Sequence, residues 1–209
     1  MNRKIKNPDW AYLDKYKNEN ALITALPFEE NRIVFFGDSI IKAWEMHNPV
    51  FFDNKKNINR GINGQTTPQM LLRFRPDVIE LKPETVIILA GTNDIAGNTG
   101  PTSLQTTLGN LISMCELAKA NNIKVILCSI LPAFDYPWHK GIQPAEKIEA
   151  LNTMLFQYAK TNKITYIDFH SLMADEQKGM SSIYSQDGVH PNKEGYLIME
   201  SIIQSSILM

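Results

Sequence analysis

Two runs in this chain, TVIILA at residues 85–90 and IKVILCSI at 123–130, are apolar at odd and even positions alike. A strand wetted on one face alternates apolar with polar residues, so these runs read as strands buried on both faces. Only a sheet covered by helices on both sides hides a strand in that way. Residues 32–36 (RIVFF), 57–60 and 164–168 (ITYID) supply three more strand-like segments. Helical periodicity fills the gaps. Leu104, Leu108, Leu111, Cys115 and Ala118 form one apolar stripe, with Pro101 placed for a first turn. Ile148, Leu151, Leu155 and Tyr158 form a second stripe, opened by Pro144, and residues 193–208 a third helix. Residues 67–81 are helical but broken by Pro76, and Trp10, Leu13 and Tyr16 suggest a further helix packed outside.

This alternation predicts an α/β fold, a three-layer α/β/α sandwich around a mostly parallel, five-stranded sheet. With 209 residues the chain is expected to form one domain, 1–209, with 1–30 as a helical extension packed on it. Its 21 Lys+Arg balance 22 Asp+Glu, which gives little electrostatic reason to bind nucleic acid. No apolar run approaches the ~20 residues that span a bilayer. Residues 1–8 (MNRKIKNP) carry charge but no apolar core after it, the pattern of a cytoplasmic chain. A leader trimmed from the sequence would instead make the protein periplasmic or secreted. Cys115 and Cys128 lie in apolar segments and read as buried thiols. His47, His139 and His170 show no ligand spacing, so no metal and no cofactor are expected.

Ligands of parallel sheets bind beyond the carboxyl ends of the strands. The residues able to do chemistry cluster there: Gly37-Asp38-Ser39 after the first strand, Arg60-Gly61-Ile62-Asn63-Gly64 after the second, Gly91-Thr92-Asn93-Asp94 after the third. Asp187-Gly188-Val189-His190 stands just before the last helix. A serine hydroxyl attacks only when a base takes its proton, and His190 can serve Ser39. Asp187 can hold the other ring nitrogen. An oxyanion needs preorganised donors, and the Ser39 N–H, Gly64 and Asn93 fit that need. Ser39 alone could merely cap a helix, and Asn93 could merely close its own loop. Asp94 and Asp38 read as loop-bonding carboxylates, with Asp38 also close enough to meet substrate. Arg60 could pair with a carboxylate or lie in the mouth of the site. Phe134, Tyr136 and Trp138, in the loop after the fourth strand, could pin that loop or form an aromatic platform for a sugar ring. Trp44, Met46 and Phe51 read as core.

The blocks GDS, RGINGQTT, GTND and DGVH resemble those of the SGNH hydrolases, also called GDSL esterases and lipases. Ser39, Gly64, Asn93 and His190 match the four letters residue by residue, with Asp187 as the acidic partner. The first block reads GDSI rather than GDSL, an aliphatic exchange. The resemblance implies a flavodoxin-like fold and metal-free hydrolysis through an acyl-enzyme. Within the family, the chain looks closest to bacterial lysophospholipase-like and carbohydrate acetylesterase proteins. The expected activity is removal of a short acyl group, acetyl foremost, from a small-molecule ester such as an acetylated sugar. Lysophospholipase or thioesterase activity by the same mechanism is the alternative. A metal-dependent phosphoesterase and a non-catalytic carbohydrate-binding protein are weaker ones. The sequence does not indicate an oligomeric state.

Overall fold

The computed structural model describes residues 9–27, 30–53 and 56–207. Residues 1–8, which bear on a leader, and Leu208, expected in the last helix, lie outside the described residues. The chain runs α1 (Lys17–Ala25), β1 (Ile33–Gly37), α2 (Ser39–His47), α3 (Pro49–Phe52), β2 (Asn57–Gly61) and α4 (Thr67–Asp77). It continues with β3 (Thr85–Leu89), α5 (Thr92–Ile95), α6 (Leu104–Ala120), β4 (Lys124–Cys128), α7 (Ala145–Thr161), β5 (Thr165–Ile167), α8 (Phe169–Met173) and α9 (Lys193–Ile207). The strands form one parallel sheet in the order β2-β1-β3-β4-β5.

Strand parity divides the apolar side chains between two cores. Val34, Phe36, Val86, Ile88, Val125 and Leu127 face one layer, with Phe74, Leu111, Leu151 and Leu155 from α4, α6 and α7. Phe35, Ile87, Leu89, Ile126 and Cys128 face the other, with Ile41, Trp44, Phe51, Phe169 and Met199 from α2, α3, α8 and α9. Both parities being apolar is thus the direct record of two covered faces. Full burial of each such side chain stabilises the fold by ~1.5–3 kcal/mol. Chain direction follows from handedness. The step from β1 to β2 runs one way and puts α2 and α3 on one face. The steps to β3, β4 and β5 run the other way and put α4, α6 and α7 on the opposite face, as right-handed crossovers require. Strand order reverses between β1 and β3, which opens a crevice at their carboxyl ends.

The structure corrects several local expectations. The segment with Trp10, Leu13 and Tyr16 is a series of turns, and the helix starts only at Lys17. The Asp9 carboxylate takes the Leu13 and Asp14 N–H groups, at 2.8 and 3.0 Å, and Tyr12 has φ 57°, so helical bonding cannot begin there. Pro101 precedes α6 by three residues, and Ser103 caps that helix by accepting from the Thr106 N–H at 3.0 Å. Pro76 lies inside the last turn of α4, and the break follows at Val78. Met46 is 79% exposed, whereas Trp44 and Phe51 are core. Both cysteines are free and buried. Among the described residues no helix is long and apolar enough to cross a membrane.

Candidate active site

Ser39 opens α2 immediately after β1, in the first turn, where backbone N–H groups have no intrahelical partner. Asp38 caps the helix by accepting the Ile40 N–H at 2.9 Å. That tight entry needs β2 close by. A Cβ on Gly61 would fall on the Asp38 carbonyl and on the Lys42 backbone, so only glycine allows the approach.

The Ser39 Oγ lies 3.0 Å from His190 Nε2, and His190 Nδ1 lies 2.7 Å from Asp187 Oδ2. A carboxylate beside Nδ1 fixes a proton there and leaves Nε2 to accept the serine hydroxyl. Asp187 is itself held. Its Oδ1 accepts the Val189 and His190 N–H groups at 2.9 and 2.8 Å, and the buried Ser185 hydroxyl lies 3.1 Å away. Partial burial raises the Asp187 carboxyl, but the bonds from the His190 ring and these amides outweigh it and hold the group below its ordinary range.

Asn93 sits 2% exposed in α5, beyond β3. Its Nδ2 donates to the Gln65 carbonyl at 3.0 Å and lies 3.2 Å from Asp38 Oδ2, while its Oδ1 accepts from Asn98 Nδ2 at 2.7 Å. Gly64 is exposed in the turn after β2, at φ +71°, a conformation that favours glycine. Two sets of hydrogen bonds thus meet at the neighbours Asp38 and Ser39: Ser39, His190 and Asp187 form one, and Asn93, Asp38 and Asn98 the other, with Asn98 reaching the Gly64 carbonyl at 3.2 Å.

Behind these residues lies a buried ion pair that sequence reasoning missed. Arg73 is 0% exposed and pairs with Asp77 at 3.0 Å. The same guanidinium donates to the Gly37 and Arg60 carbonyls, each at 2.9 Å, and to Gln65 Oε1. It ties together the ends of β1 and β2 and the turn whose Gln65 carbonyl holds Asn93. The only hint in the sequence was Arg73 and Asp77 at i, i+4 spacing on a helix with Met70 and Phe74. Asp94 plays a similar part, accepting the Thr67 N–H at 2.9 Å and the Thr67 hydroxyl, which joins α5 to α4.

Other expected residues fall elsewhere. Asp38 is 1% exposed and faces Asn93 and the α2 N-terminus rather than solvent. Burial pushes its carboxyl from 3.8 up to about 6, with the Ile40 N–H and the His190 charge opposing the rise and Asp94 adding to it. Arg60 is not in the mouth. It is 3% exposed under the Tyr16 ring, bonded to Asn20 Oδ1 at 2.9 Å and paired with Glu19 at 3.5 Å. It lines a hollow of about 740 Å³ beneath α1, with Lys42, Glu45 and Ile58, that includes none of Ser39, Gly64, Asn93, Asp187 and His190. Phe134 is 56% exposed and lines a separate hollow of about 310 Å³ with Lys140, Asp175 and Asp187. Tyr136 is fully buried. Trp138 lies against the site, with its ring 5.9 Å from that of His190.

A family model described as GDSL-like Lipase/Acylhydrolase matches residues 35–198. A solved structure of a candidate acylhydrolase from Bacteroides fragilis NCTC 9343 is 48% identical, with a TM-score of 0.93, over 96% of this chain and 98% of that one. Esterase TesA from Pseudomonas aeruginosa is 30% identical over 135 residues, which cover 64% of this chain and 60% of TesA. Acetylxylan esterase from Xylanibacter ruminicola is 25% identical over 149 residues, 63% of this chain and 30% of that protein. The chain spans between one third and three fifths of the length of the curated relatives it matches first.

Proposed function

The chain belongs to the GDSL-like lipase/acylhydrolase family, and on that premise we propose that it is a serine esterase releasing a short acyl group, acetyl foremost, from a hydroxylated ring such as a sugar. The observation that carries the reading is the unbroken contact line Ser39 Oγ, His190 Nε2, His190 Nδ1, Asp187 Oδ2, at 3.0 and 2.7 Å. Residues 1–209 are read as one such domain, with 1–30 its extension.

In this reading Ser39 Oγ attacks the ester carbonyl as His190 Nε2 takes its proton, and Asp187 stabilises the imidazolium. The tetrahedral oxyanion is met by the Ser39 and Gly64 N–H groups and by Asn93 Nδ2. The Asn93 hydrogen facing Asp38, the longer of its two contacts, is the one that turns to the oxyanion. His190 returns the proton to the departing alkoxide, which leaves as the alcohol. Water, deprotonated by His190, then attacks the acyl-Ser39 ester, and His190 gives that proton to the departing Ser39 Oγ as the acid is released. Support for an acetylated sugar comes from the acetylxylan esterase likeness and from Trp138, 45% exposed beside His190. A lysophospholipase or thioesterase of the same mechanism is the second reading, since the same contact line would serve any ester or thioester carbonyl.

The test is hydrolysis of p-nitrophenyl esters from acetate to decanoate by wild type and Ser39→Ala, with and without EDTA. The proposal expects activity that needs Ser39, ignores EDTA and falls with chain length. Rising activity with chain length supports the second reading, and a fully active Ser39→Ala overturns both.

A further inference from the structure

Asn98 stands five residues after Asn93, and its N–H bonds to the Asn93 carbonyl at 3.0 Å, which folds the loop so that the two side chains lie together. Although Asn98 is exposed, each polar atom of its amide has a protein partner. One Nδ2 hydrogen goes to Asn93 Oδ1 at 2.7 Å and the other to the Gly64 carbonyl at 3.2 Å, and Oδ1 accepts the Trp138 indole N–H at 3.2 Å. A solvated loop asparagine gains little from such pairing, since water would serve it as well.

The two ends of an asparagine amide have nearly the same shape, so its partners decide which end faces where. Gln65 and Asp38 present acceptors to Asn93 and require its nitrogen. Asn98 presents a donor and requires its oxygen. Trp138 is fixed in turn: its ring stacks on the buried Tyr136 at 5.0 Å, and the neighbouring His139 Nδ1 contacts the Ala96 carbonyl at 2.8 Å. The loop that carries the aromatic face is therefore fastened at two points to the loop that carries Asn93.

We propose that Asn98 is a positioning residue that sets the Asn93 amide and Gly64 as an oxyanion pair and couples them to Trp138, which serves as the platform for a ring-shaped alcohol beside His190. The inference rests on the serine esterase reading above. It adds that the leaving-group platform and the oxyanion donors share one amide.

The experiment measures acetate release from ethyl acetate and from peracetylated methyl xyloside, which share an acyl group and differ in the alcohol. Thermal unfolding of each variant is followed alongside. Asn98→Ala should lower kcat roughly tenfold on both substrates with KM within about twofold, the cost of freeing one well-placed hydrogen-bonded group. Asn98→Asp should do worse than alanine, because a carboxylate facing Asn93 Oδ1 favours turning the amide over. Trp138→Phe, which keeps a ring but loses the indole N–H, should lower kcat less than Asn98→Ala. Trp138→Ala should also raise KM for the xyloside and leave KM for ethyl acetate near wild type. If both Asn98 variants keep kcat within about threefold, or if they lower only the melting temperature, the proposal is overturned. An active Ser39→Ala would be a different failure, removing the esterase reading itself.

Discussion

Replacing Asp38 with asparagine tests whether the carboxylate behind the nucleophile is held at an energetic cost. Asp38 is 1% exposed, and burial raises its carboxyl from 3.8 to about 6. An acid whose folded value is raised binds a proton in the native state that the unfolded chain has already shed. Its contribution to stability is therefore unimpaired below pH 4, falls as pH rises towards 6, and stays low above that. The gap of about 2 pH units, at 1.36 kcal/mol each, corresponds to on the order of 3 kcal/mol. Asparagine keeps an oxygen to cap Ile40 and is neutral throughout. It also sets an amide nitrogen against Asn93 Nδ2, a penalty that does not depend on pH. Comparing two pH values cancels that penalty. Urea unfolding of wild type and Asp38→Asn at pH 4 and pH 8 should thus show the stability difference moving by roughly 3 kcal/mol in favour of the variant at the higher pH. A difference constant to within about 0.5 kcal/mol would refute the argument, because it would mean that the buried carboxylate is not disfavoured at all.

Asn93→Ala should lower kcat on p-nitrophenyl acetate by ~10²–10³ with the fold intact, and a loss below about tenfold would leave Asn93 as a loop residue. Asp187→Asn, by removing the acceptor 2.7 Å from His190 Nδ1, should cost ~10⁴ in kcat, read by steady-state hydrolysis at pH 8. Arg73→Leu strands the buried Asp77 carboxylate and should destabilise the protein by roughly 3–5 kcal/mol in urea unfolding, where a change under about 1 kcal/mol would show that Asp77 finds water.

The sheet was legible because burial on both faces writes apolar residues at every position, as in residues 85–90. Ser39, Gly64 and Asn93 were legible because they follow strands in a parallel sheet, whereas His190, beyond α8 and just before α9, was legible only through its DGVH block. Local competition was not legible. Trp10, Leu13 and Tyr16 keep helical spacing, yet the Asp9 carboxylate captures the N–H groups that a helix would use. Direction within loops was equally hidden. Phe134, Tyr136 and Trp138 alternate in sequence, but a loop without a period sends one outward, one into the core and one over His190. Arg60 turns under Tyr16 because α1 covers the β2 edge, a tertiary fact without a local signature. Asn98 looks like an ordinary turn residue until its three side-chain partners are seen together.

The sequence separation of 151 between Ser39 and His190 also imposes an order in time. A ribosome that has delivered all five strands has already made the proposed nucleophile and its oxyanion donors, but not Asp187 or His190. His190 stands just before α9, which docks with the Tyr196 hydroxyl on the Ile40 carbonyl at 2.7 Å and Asn48 on Glu200 at 2.5 Å, both on or beside the helix that Ser39 opens. On the proposed mechanism, a nascent chain would stay silent towards esters until α9 had emerged and closed against α2.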